Sequence, residues 1–185
     1  MEARYQLRQC PESVSTLPDR VPLRQLPGML IGVEQQRQID LPDGYEFSTG
    51  TSRLDPARVH YLLSNYAYWA AKRTRQTQDA AIAHSRNYGI YWVASQQQVA
   101  YARVVTDGVT FAWLADVIVD PAHRGRGIGR ALIAGVVADL EPLGLKRIVL
   151  KASDEGVHLY EQFGWHAVEK PDAWMELRSA GTVQR

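Results

Sequence analysis

The stretch DVIVDPAHRGRGIGRALIAG, residues 116–135, crowds Gly125, Gly127 and Gly129 between Arg124, Arg126, Ile128 and Arg130. A plain connector needs one glycine or two. Glycines at every second position mean that something must approach the backbone closely. Upstream, WLADVIV reads as a buried strand, and downstream Ile128, Leu132, Val136 and Leu140 fall four apart, the period of a helix. The loop therefore joins the C-terminal end of a strand to the N-terminus of a helix. The first turn of a helix has backbone N–H groups without intrahelical partners and carries partial positive charge. With three arginines around it, such a loop suits a bulky anion, and a pyrophosphate is the natural tenant. The plainer alternative is a flexible basic turn.

Two phosphate-binding patterns do not fit. A Walker loop needs Lys and then Ser or Thr after its last glycine, whereas Gly129 is followed by Arg130 and Ala131. A dinucleotide fingerprint needs its glycines tight against the strand, but DPAH intervenes and GRGIGR lacks the last glycine.

Outward from the loop, further elements are legible. GYEFSTG predicts a strand from Tyr45. Asp55 and Pro56 open a helix whose inner face is Val59, Leu62, Leu63 and Tyr66. A short helix is expected over 78–85. YGIYWVAS, VAYARVVT and VTFAWLADVIV predict three antiparallel strands, turning at 96–98 and at Asp107-Gly108. RIVLK, 147–151, is a buried strand, and the helix before it favours parallel pairing with the strand that ends at Val119. SDEGVHLYEQFGW is a short helix capped by Ser153 or Asp154 and stopped by Gly164. Two more strands are expected at 166–168 and 174–177. The fold class is α/β (or α+β) with a mixed sheet. Residues 1–44, rich in Pro, Gln and Arg with one apolar island at Met29–Val33, read as a partly ordered extension to a domain over 45–185.

Composition excludes several classes. With 185 residues, 45% apolar and 22% charged, the chain is an ordinary globular protein. A net charge of +1 supplies no global field for nucleic acid or an anionic membrane, so an anion site must be local. A single basic loop without repeated RGG units argues against RNA. One cysteine, Cys10, forms no internal disulfide, and there is no membrane-length apolar run or leader, so a cytoplasmic location is expected. The histidines lack metal-ligand spacing, and no metal is expected.

The loop resembles the acyl-CoA-binding motif of the GNAT superfamily of N-acetyltransferases, R/Q-x-x-G-x-G/A, with Arg124, Gly127 and Gly129 in place. LYEQFGW at 159–165 is similar to a second family marker, an aromatic-rich helix end. The resemblance spans about residues 45–178 and follows the family's order of elements.

It implies a mostly antiparallel sheet of about six to seven strands, with one parallel pair splayed apart and helices on both faces. It implies acetyl-CoA as donor, its pantetheine arm on the main chain of Val117, Ile118 and Val119. The amides from Gly125 through Arg126, Gly127, Ile128 and Gly129 to Arg130 would hold the pyrophosphate. Tyr160 matches the family tyrosine that protonates the departing thiolate, after an amine attacks the thioester and a strand N–H stabilises the oxyanion. Where the family often carries Asn, this chain has Ser153.

Asp116 lies in an apolar strand, where an unpartnered carboxylate would be costly. It either faces a polar cavity or has a partner. Its place in the family pattern suggests steering an ammonium acceptor or relaying its proton, and a purely structural aspartate is the alternative. Tyr68 and Trp69 are candidate acceptor contacts. The expected partner is a small-molecule or peptide amine, with no nucleic acid and no membrane. A homodimer is left open, as is a non-catalytic acyl-CoA sensor on the same fold.

Overall fold

Asp55 opens the first helix as its place before Pro56 predicts, its carboxylate accepting from the Arg58 N–H at 2.9 Å. That helix, α1, spans Pro56–Tyr66 and buries Val59, Leu62 and Leu63. Tyr66, assigned to the same face, is 43% exposed, because the helix ends there and only its inner turns reach the sheet. The second helix, α2, spans Arg75–Ala83, three residues earlier than expected, because Thr74 caps it by accepting from Thr77 N–H. The structure, a computed structural model, describes residues 39–177. The strand expected at Met29–Val33 and Cys10 lie outside them, as does most of the expected extension. Of residues 39–44, Ile39 and Leu41 pack against the main core.

Strands β1 (Tyr45–Ser48), β2 (Arg86–Trp92), β3 (Gln97–Thr106), β4 (Phe111–Val119) and β5 (Arg147–Val149) form one sheet in that order. Pairing is antiparallel up to β4, and β5 runs parallel to β4. Helix α3, Ile128–Leu140, makes the crossover, and α4 is Val157–Glu161.

The sheet has five strands among the described residues, not six or seven. The segments expected as strands at 166–168 and 174–177 are not strands. The Trp165 indole N–H donates to Ile148 O on β5 at 3.0 Å, so a side chain meets that carbonyl where a neighbouring strand would pair. Ser153 and Asp154 also do not cap α4, whose N-cap is Gly156; Ser153 contributes its carbonyl, accepting from Gly156 and Val157 N–H. Gly164 does end it, with φ +91°.

Strand β4 changes faces halfway. Tyr101 pairs with Ile118 but Arg103 pairs with Ala115, so β4 holds one extra residue opposite Ala102. This bulge centres on Asp116, whose φ is +53°. Before it, Ala112 and Leu114 pack with α3 in the main core. After it, Ile118 packs with Leu62 and Leu63 of α1 in a second core, while Val117 and Val119 turn to the first. Strict alternation would have put 114, 116 and 118 on one side.

Tyr88, Tyr91 and Tyr101 are buried, and this has a pH consequence. Burial pushes the Tyr91 phenol up to about 12, and Tyr88 and Tyr101 rise further for the same first reason. Their folded values lie above the unfolded value near 10, so the folded state holds these protons more tightly. Their contribution is complete below about pH 10 and is lost as pH rises past 12. Thermal unfolding should therefore show a melting temperature that falls across pH 10–12 in step with tyrosinate absorbance. A flat profile there would contradict these placements.

Candidate active site

Parallel pairing between β4 and β5 covers only Phe111–Trp113 against Arg147–Val149. Beyond Trp113, β4 keeps its partner β3 on one side and, among the described residues, has no strand on the other. The two strands part, and a cleft of about 1380 Å³ opens between them. Residues 114–119 of β4 form its floor, Leu150–Gly156 and α4 one wall, and Ser64–Trp69 the other. The Val119 carbonyl faces the open edge, accepting from Arg124 Nε at 3.1 Å. By the two-residue pleat, Val117 presents its backbone to the same edge. Ile118 turns its side chain into the second core and reaches the cleft only by its main chain.

At the mouth of the split the loop bends through Gly125, φ +72°, and Gly127, φ +78°, and α3 begins at Ile128. Both values suit glycine and strain any other residue. Among the described residues no acceptor in the chain meets the amide N–H groups of residues 125–130, while Ala131 N–H starts the helix ladder on Gly127 O. Arg124, Gly125, Gly127, Ile128 and Gly129 line the cleft. The side chains of Arg126 and Arg130 do not, since they donate to Tyr45 Oη and Gln162 Oε1. Neither residue lines the cleft.

The loop is pinned from behind. Asp120 accepts from Ala122 N–H and forms an ion pair with Arg58 of α1. His123 Nδ1 lies 2.8 Å from Tyr45 Oη. The free amides thus sit on a braced frame rather than a mobile turn.

An open ring of donors at a helix N-terminus fits a pyrophosphate, and the unpaired edge of β4 fits an extended amide-bearing arm. Gly127 tests the first match. A Cβ there would meet only Pro42, at 3.8 Å, so the protein itself has room for one. Gly127→Val should cost about 1–3 kcal/mol through its positive φ. It should weaken CoA binding well beyond that strain by blocking approach to the amides. Calorimetry on the folded variant that returned wild-type CoA affinity would remove the loop from the site.

Tyr160 lies on α4 with its ring 6.0 Å from that of Trp165, and it lines the cleft with Ser153 and Leu159. A Cβ on Gly156 would come within 3.2 Å of the Tyr160 ring, so glycine at the helix start gives the tyrosine its place. Burial pushes the phenol above its ordinary value, so it stays protonated at neutral pH.

Asp116 is 6% exposed, and both its oxygens are taken. Oδ2 accepts from Arg73 Nη1 at 2.5 Å and from Arg103 Nε at 2.6 Å, and Oδ1 accepts from Arg73 Nη2 at 3.1 Å. Burial alone would raise its pKa, but the two guanidiniums outweigh it and hold the carboxyl below the usual range. It lines the cleft, and its two arginine partners offset the cost of burying it. Arg73 also donates to Gln78 Oε1. Neither arginine stood out in the sequence. Arg103 could have been suspected, as a charge in the apolar run VAYARVVT, whereas Arg73 becomes a partner only once the chain folds.

Residues 64–69 present a wall that the sequence showed only in part. Ala67 and Ala70, each 2% exposed, fix the turn after α1 on the second core. Between them Tyr68 and Trp69 face outward, 5.1 Å apart and edge to face. Among the described residues no group of three His, Cys, Asp or Glu could hold a metal ion, and no helix is long and apolar enough to cross a membrane.

A five-stranded mixed sheet, split beside a glycine-rich helix start, is an arrangement shared with known proteins. The chain belongs to the acetyltransferase (GNAT) family, whose model matches residues 55–165. A solved GNAT-family structure from Xanthomonas campestris pv. campestris is 38% identical, with a TM-score of 0.68, covering 75% of this chain and 95% of that one. Serotonin N-acetyltransferase 2, chloroplastic, of Oryza sativa subsp. japonica is 29% identical over 136 residues, 70% of this chain and 64% of the relative. GCN5-related N-acetyltransferase 1, chloroplastic, of Arabidopsis thaliana is 31% identical over 101 residues, 53% of this chain and 50% of the relative. The chain thus spans between half and two thirds of the length of these curated relatives.

Proposed function

We propose that this protein transfers an acetyl group from acetyl-CoA to a primary amine by direct attack with both substrates bound. The observation that carries this reading is that one cleft is lined by the unpaired edge of β4, the glycine-rich start of α3 and Tyr160. When bound, acetyl-CoA supplies the activated acetyl thioester. The amides of residues 125–130 hold its pyrophosphate, and the main chain of Val117 to Val119 aligns its arm. The Val117 N–H donates to the thioester carbonyl oxygen as negative charge develops there. Tyr160 then gives its phenolic proton to the leaving sulfur, and the proton that the amine nitrogen sheds passes to solvent, from which the phenolate is reprotonated. Ser153 Oγ is the side-chain contact left at its place in the wall. No residue of the chain forms a covalent bond to the acetyl group.

Asp116 acts through its arginines. By binding Arg73 and Arg103 it holds the bulge, and so the free edge of β4, in place. It is a positioning residue rather than a base.

A screen of CoA release from acetyl-CoA over a panel of amines tests the reading. Amine-dependent release with an equal amount of acetylated amine is the expected result. Tight acetyl-CoA binding without turnover on any amine would favour the non-catalytic sensor. The cytoplasmic assignment belongs to the same proposal and rests on the single cysteine; the plant relatives above are named chloroplastic.

A further inference from the structure

We infer that the amine acceptor carries an aromatic body, as an arylalkylamine does. This rests on the acetyltransferase reading above and deepens it. The acceptor wall is aromatic. Tyr66, Tyr68 and Trp69 line the cleft on the α1 side and Trp113 lines it from β4. They are 43%, 77%, 44% and 36% exposed, an unusual density of large rings open to water around one opening. Rings at such an edge gain most from a flat apolar partner, which can stack on or meet them edge to face.

The carboxylate on the aromatic side of the cleft, Asp116 of β4, is bound by Arg73 and Arg103, and neither arginine lines the cleft. Lys151, Asp154 and Glu155 line it from the opposite wall. Beside the rings, Asn65 suits the amine end. Asn65 Nδ2 donates to Tyr61 O at 2.8 Å, which leaves its Oδ1 to accept from a substrate N–H. The Arg73–Asp116 pair ties the far end of the Tyr68–Trp69 turn to β4, fixing the wall against the floor.

The test measures kcat and KM with acetyl-CoA for phenethylamine, tryptamine, spermidine and glucosamine 6-phosphate. The two aromatic amines should exceed the other two at least tenfold in kcat/KM. Tyr68→Ala and Trp69→Ala should each raise the KM for phenethylamine about tenfold, with CoA affinity and melting temperature unchanged, and Trp69→Phe should restore most of the loss. Tyr68 is exposed enough that its truncation leaves the fold intact, so a kinetic readout is assured. Higher kcat/KM for spermidine or the sugar phosphate, or an unchanged KM in both alanine variants, would overturn the inference while leaving the acetyltransferase reading standing. No turnover on any amine, with acetyl-CoA bound, would overturn both.

Discussion

Tyr160→Phe is expected to lower kcat by about 10²–10⁴-fold, with CoA affinity nearly unchanged. The substitution removes only the hydroxyl, so the ring keeps its contact with Trp165 and its place over Gly156. What is lost is the proton for the departing sulfur. Burial has raised the phenol above its ordinary value near 10, so in the wild type it acts as an acid throughout the neutral and mildly alkaline range. Any fall in kcat that Tyr160 causes must therefore begin above about pH 10 and disappear in the variant. Wild-type turnover by Tyr160→Phe at all pH values would show that water protonates the thiolate.

The second large effect concerns stability. Asp116→Ala leaves the guanidiniums of Arg73 and Arg103 facing each other without their shared anion. Breaking a buried ion pair from one side typically costs about 3–5 kcal/mol, and the lower end applies because both arginines keep some water contact. Asp116→Asn, which can still accept hydrogen bonds, should lose less. Because the folded pKa lies below the unfolded one, the contribution is present above about pH 4 and is lost as pH falls through the lowered value. Alanine should thus melt far below the wild type at pH 7, with the gap closing in acid. A variant of unchanged stability, altered only in acceptor KM, would return Asp116 to the role of steering the amine.

These two residues also show what the sequence could reveal. Tyr160 was marked by its place in a family-like motif, and the structure sets it on a short helix that lines the cleft. The glycine-rich loop could be read from its own residues. The glycines record a backbone conformation, and the free amides follow from it. Asp116 could be marked as costly but not resolved, because its partners lie 43 residues before it and 13 residues before it along the chain. The bulge was illegible for a related reason. FAWLADVIV is apolar on both sides of Asp116, so its pattern does not register a change of face between two cores. Tyr66 misled because helical period says which residues share a face, not how far that face stays covered. The last two strands failed on a side chain, since what takes the β5 carbonyl is an indole.

That indole has a meaning beyond strand count. A strand of three residues at the rim of a sheet offers its outer backbone to any extended segment that can line up with it, including one from another molecule. Trp165 takes the middle carbonyl of that rim, at Ile148, and the Arg147 guanidinium lies over the Trp174 ring 5.7 Å away. Two bulky rings therefore guard the place where a foreign strand would have to pair. Among the described residues this edge of the sheet is closed to growth by side chains and not by a covering strand. Loss of Trp165 should consequently reveal itself first as self-association during refolding, before any change in the chemistry of the cleft.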